Sequence, residues 1–117
     1  MNKIIKIAVD AMGGDGSPKK VIDGIHHHFK NNKNSFYKIF GDKDKILLDI
    51  KSNLPSSSFE IIHTIDTVKG TDSPLEGAKR GKKTSMWLAV QSVKEKKSDV
   101  VISAGNTGAL LVISKLN

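Results

Sequence analysis

The sequence predicts an α/β fold built on a mostly parallel sheet. Three observations predict it. Four short apolar runs alternate with segments of helical period, and two of these runs lead straight into a glycine-rich turn followed by a helix. No apolar stretch reaches the ~20 residues that a membrane-spanning helix needs. The 117 residues suffice for one domain, taken as 1–117, and 38% are hydrophobic before the 10 glycines are counted.

Each element has its own justification. Ile4 to Val9 is a short apolar run of the kind buried in a parallel sheet. Asp10 to Gly16 forms a loop, after which Ser17 offers an N-cap and Pro18 a first-turn residue. Val21, Ile22, Ile25 and Phe29 recur at helical spacing, so an amphipathic helix extends to about Lys30. Asn31 to Ser35 is a polar break before a second strand, Phe36 to Phe40. Gly41 and Asp42 turn the chain into a helix with Ile46, Leu47, Ile50 and Leu54 on one face. Pro55 to Ser58 connects to a third strand, Phe59 to Ile65.

A longer loop, Asp66 to Ser73, leads through Pro74 to a short helix that Gly81 interrupts. Thr84 or Ser85 caps the next helix, from Met86 to about Lys97, in which Met86 and Trp87 are packing residues. Val100 to Ser103 is the fourth strand, Ala104 to Gly108 a turn, and Ala109 to Leu116 the start of a further helix. That last helix stops after two turns without a capping signal. The expectation is therefore the amino-terminal part of a longer chain.

Composition excludes several classes. Without cysteine there are no disulfides, thiolate nucleophiles or thiolate metal sites, which suits a cytoplasmic location. The net charge of +7 is spread evenly, with ten basic and six acidic residues up to Ser58 and nine and six beyond it. With only six aromatic residues as well, this argues against nucleic acid and for an acidic partner or an anionic small substrate. Successive helix positions point ~100° apart, so His26, His27 and His28 do not converge on one metal, and His63 has no evident partner ligand. No metal and no cofactor are expected.

Two segments carry the layout strand, glycine-rich loop, helix: Val9 to Pro18 and Ile102 to Leu110. Glycine lets the backbone turn with positive φ and approach a ligand, while a helix start presents free N–H groups to an oxyanion. In a parallel sheet both loops lie at the carboxyl edge, where ligands bind. Both also read as plain tight turns. Neither matches a nucleotide fingerprint. Asp10 and Asp15 make the first loop awkward for a bare anion, and backbone capping is their favoured role beside bonds to ligand hydroxyls or a lysine. Lys79 to Ser85 is a basic segment before a helix start, a third anion-binding candidate or else a solvated turn.

Asp10-Ala11-Met12-Gly13-Gly14-Asp15 resembles the opening signature of the PlsX-type phosphate acyltransferases. Ser103 to Leu110 is similar to that family's second signature. Asp72-Ser73-Pro74 and Lys79 to Met86 resemble its central segment, with Thr84 where a serine is usual. The resemblance runs in order over essentially the whole chain, and the family's members are considerably longer. It implies a three-layer α/β/α fold like that of isocitrate and isopropylmalate dehydrogenases. It also implies a homodimer, in places loosely associated with the membrane surface. The implied reaction moves a fatty acyl group from acyl-carrier protein to inorganic phosphate, for phospholipid synthesis.

On that resemblance Asn106 and Thr107 are expected to donate to the tetrahedral oxyanion, with the backbone of Gly105 to Gly108 beside them. Ser103, Lys82, Lys83 and Ser85, with Asp10, Gly13, Gly14 and Asp15, complete the expected substrate and phosphate site. Rival readings are an acyl-CoA:phosphate transferase of the phosphotransacetylase type, a nicotinamide-dependent dehydrogenase, and a non-catalytic remnant or binding module. In the last case a four-stranded sheet would leave apolar surface open.

Overall fold

The computed structural model describes residues 3–67, 73, 75, 83–104, 110, 113 and 114. Its elements are β1 (Ile5–Asp10), α1 (Lys19–Asn31), β2 (Ser35–Gly41), α2 (Lys43–Asp49), a single 3-10 turn over Ser56–Ser58, β3 (Phe59–His63), α3 (Ser85–Lys94) and β4 (Val100–Ser103). The strands form one sheet in the order β3-β2-β1-β4, with every neighbouring pair parallel. The α/β class and the parallel sheet expected from the sequence are therefore present.

Alternation along the strands divides the core in two. Ile7 and Val9 of β1 and Tyr37 and Ile39 of β2 pack with Ile22, Ile25 and Phe29 of α1 and with Ile46 of α2. Ala8, Phe40 and the partly buried Val101 face the other way, against Ala89 of α3. Helices thus cover both faces. Burying an aliphatic side chain is worth roughly 1.5–3 kcal/mol, so these two sets hold the layers together. Beyond α3, Met86, Trp87 and Val90 form a further cluster with Ile113 and the partly buried Leu110, in keeping with the packing role expected of Met86 and Trp87.

Several boundaries shift from those the sequence suggests. Asp10 belongs to β1, paired with Phe40 and Ser103, rather than to the loop. Ser17 is not an N-cap: its hydroxyl donates to the Gly13 carbonyl, and Pro18 occupies the cap position of α1 without a side-chain bond. In α2 the carboxylate of Asp42 accepts the Asp44 and Lys45 N–H groups, but the helix ends at Asp49 because Ile50 turns extended. Leu47, within the helix, is exposed, and Leu54 is buried from beyond it. β3 stops two residues short of Ile65, which is exposed.

Thr84 caps α3 through its hydroxyl, which accepts the Trp87 N–H at 3.2 Å. The helix closes at Lys94 rather than Lys97. Lys96 takes a left-handed φ of 62°, Lys96 N–H donates to Val93 O at 3.0 Å and Lys97 N–H to Ser92 O at 2.8 Å. This is a Schellman closure with lysine where glycine is usual.

His26 ties α1 to the turn after α2. Its Nε2 accepts the Lys51 N–H at 3.1 Å, and its buried Nδ1 has no partner among the described residues. Burial, then the Lys51 charge, hold its pKa below the ordinary 6.5 against the opposing pull of Asp23. A histidine depressed in the folded state contributes stability in full above its unfolded value, and loses it as pH falls through that value toward the folded one. His26→Gln is expected to flatten this acid-side loss in urea unfolding. An unchanged slope below pH 6.5 would show that His26 is not its source.

Candidate functional site

The sheet order sets the site. From β1 the chain leaves through α1 toward β2, whereas β4 lies on the opposite side of β1. β1 and β4 therefore flank a topological switch point, the place where open parallel sheets bind ligands outside their carboxyl ends. The loop after β1 and Ala104, the residue after β4, are direct neighbours there. Gly14 has a φ of 84°, and a Cβ on it would stand 2.8 Å from the carbonyl oxygen of Ala104. Contact that close, on backbone rather than on a flexible side chain, requires glycine.

Asp10 joins three elements beneath this contact. Its carboxylate is 1% exposed. Oδ1 accepts the Ser85 hydroxyl at 2.6 Å, and Oδ2 accepts the Ser103 hydroxyl at 2.8 Å. Oδ1 also accepts the Met12 N–H at 3.2 Å, which is the capping role favoured from sequence. The end of β1, the start of α3 and the end of β4 are thereby held to one side chain. The carboxylate thus bonds toward α3, toward β4 and toward the Met12 N–H of the β1 loop.

The start of α3 has further anchors. Its Ser85 N–H donates to Asp66 O at 3.0 Å, and the Thr64 hydroxyl donates to Lys83 O at 2.5 Å. Lys83 is exposed beside these bonds, Gly13 is buried, and Asp15 is exposed at the rim. The structure thus brings Asp10, Gly14, Ser85 and Ser103 together. Lys82, Gly105, Asn106, Thr107 and Gly108 lie outside the described residues. The serines are separated from Asp10 by 75 and 93 positions, and nothing local in the sequence signals that they meet it. Thr64 and Ala104 were missed for the same reason.

A cleft of about 680 Å³ opens beside the β1 loop and Ala104, between α1 and the β1–β4 pair. Asp15, Ser17, Lys20 and Ala104 stand at its mouth, and Ile7, Val9, Ile25 and Ile102 line its body. Of the histidines, His28 also lines the cleft. His28 Nδ1 and the Tyr37 hydroxyl are 2.7 Å apart, and His63 Nδ1 accepts the Lys43 N–H at 3.0 Å. Among the described residues no group of three His, Cys, Asp or Glu is placed to hold a metal ion.

A family model described as "Fatty acid synthesis protein" matches residues 5–117. Over 117 residues the chain is 81% identical to a phosphate acyltransferase of Pelagibacter ubique (strain HTCC1062), a match covering 100% of this chain and 35% of that protein. It is 41% identical over 108 residues to a phosphate acyltransferase of Streptococcus pyogenes serotype M5 (strain Manfredo), covering 92% of this chain and 31% of the other. The same figures hold for a phosphate acyltransferase of S. pyogenes serotype M1. The chain spans about a third of the length of the curated relatives it matches.

Proposed function

We propose that this chain, which belongs to the fatty acid synthesis protein family, is the oxyanion-binding part of an enzyme that transfers a fatty acyl group from acyl-carrier protein to inorganic phosphate. The observation that carries the reading is the junction at the switch point, where Asp10 holds Ser103 and Gly14 abuts Ala104, the residue that precedes the second glycine-rich segment. The relatives' name, phosphate acyltransferase, supports the reaction class.

Phosphate is ionised near neutral pH, so the site needs no strong general base. A phosphate oxygen attacks the thioester carbonyl, and the carbonyl π electrons move onto its oxygen. The tetrahedral intermediate collapses with cleavage of the C–S bond, giving acyl phosphate and the carrier thiolate, which takes a proton. Rate then depends on holding phosphate in line and on N–H donors aimed at the developing oxyanion. Asn106, Thr107 and the backbone of Gly105 to Gly108 are the proposed donors, in the segment that follows Ser103, which Asp10 holds. Lys82 and Lys83 are proposed to attract phosphate or an acidic carrier surface. The net charge of +7 favours both.

No cofactor enters this chemistry. The reading takes the longer protein to be a cytoplasmic homodimer that touches the membrane only peripherally. Among the described residues no helix is long and apolar enough to cross a membrane. The test is a chimera in which this chain replaces the matching segment of the Pelagibacter relative. The expected result is acyl phosphate formed from acyl-carrier protein in preference to acyl-CoA. Equal or better use of acyl-CoA would shift the assignment to the phosphotransacetylase type, and nicotinamide binding without transfer would point to a dehydrogenase. An inactive but folded chimera would leave the remnant reading.

A further inference from the structure

We infer that the cleft between α1 and the β1–β4 pair holds the hydrocarbon tail of the acyl group, with His28 and Tyr37 closing its far end. The inference rests on the acyl-transfer reading and adds to it where the tail lies and what limits its length. Polarity runs the right way. The polar residues Asp10, Asp15, Ser17 and Lys20 line it at the end of β1 and at the β1 loop and start of α1, and the rest is walled by Ile7, Val9, Ile25 and Ile102. A thioester carbonyl at the loops would send its tail down these walls.

The wall on the β4 side is open to a ligand: Ile102 is 54% exposed on the face it shares with Val9. On the α1 side Gly24 lines the cleft, and a Cβ placed there would meet nothing within 4 Å. A small residue in mid-helix thus leaves room at the centre of the channel. From Ser17 to His28 the helix advances about 16 Å at ~1.5 Å per residue. That is about half the ~30 Å hydrocarbon thickness of a bilayer, the depth that one acyl chain fills. At the bottom the imidazole of His28 stands edge-on to Tyr37, with ring centroids 5.9 Å apart, and its Nδ1 pairs with the hydroxyl.

The test measures displacement of a fluorescent fatty acid from this chain by octanoate, laurate and palmitate. Affinity is expected to rise about three- to fourfold per methylene until the tail reaches His28 and Tyr37. Gly24→Leu, which also favours the helix, is expected to weaken palmitate at least about tenfold while sparing octanoate. Ile102→Asp, at an exposed position, gives the same loss without relying on α1. His28→Ala is expected to move the plateau to longer tails. A profile independent of tail length, or palmitate affinity unchanged in both Gly24→Leu and Ile102→Asp, would overturn the assignment. Transfer activity plays no part in the measurement. A chimera that fails to transfer therefore leaves the result standing, and a length-independent profile beside a working chimera removes only the cleft.

Discussion

Asp10→Ala is expected to lower the unfolding free energy of this chain by about 3 kcal/mol, from the loss of hydrogen bonds to a charged acceptor and the buried donors left behind. Two opposing terms decide the size. Removing the carboxylate relieves the cost of burying a charge with hydroxyl and amide partners only. Against this, the Ser85 and Ser103 hydroxyls and the Met12 N–H lose their acceptor together. The second term is expected to win, because three donors lose this acceptor, the fully buried Ser85 hydroxyl among them, while one charge is relieved. Asp10→Asn keeps the shape and one acceptor oxygen, and a serine hydroxyl can itself accept from the amide, so its loss is expected to be about 1 kcal/mol.

Urea unfolding of the two variants checks the order. A further control is the triple variant Asp10→Ala, Ser85→Ala, Ser103→Ala, expected to be more stable than the summed single losses because only the Met12 N–H is left without this acceptor. An Asp10→Ala loss below about 1 kcal/mol would mean that the carboxylate costs as much as it contributes.

Much of this fold is legible in the chain because its periodicities are local. The alternation of Ile7, Ala8 and Val9 across the sheet, and the spacing of Ile22, Ile25 and Phe29, follow from backbone geometry that neighbouring residues impose on one another. Element ends were less legible. The departure at Ile50 and the left-handed turn at Lys96 occur without the proline or glycine that would announce them. The site was legible only in part. Glycine-rich loops after strands can be read directly, but adjacency of β1 and β4 is a property of sheet order. A carboxylate whose partners lie 75 and 93 residues away looks in sequence like any loop aspartate.

That difference between a holding role and a reacting role gives the second large effect. In the chimera, Asn106→Ala is expected to lower transfer about 10²–10³-fold, the usual cost of removing one oxyanion donor. The melting midpoint is expected to stay nearly unchanged, since an amide aimed at the transition state contributes little to the ground-state fold. Ser103, which opens the second signature, is held by Asp10, and Ala104 abuts Gly14. The segment carrying Asn106 therefore starts from a fixed point beside the first loop. Loss of one donor should reduce kcat with little change in KM, because ground-state binding does not use it. Asp10→Ala in the same chimera is expected to lose stability and turnover together, through the released Ser103. Two variants separated in this way distinguish the support from the chemistry. If Asn106→Ala transfers at the parent rate, the oxyanion must be held by other donors, and the second loop is only a turn.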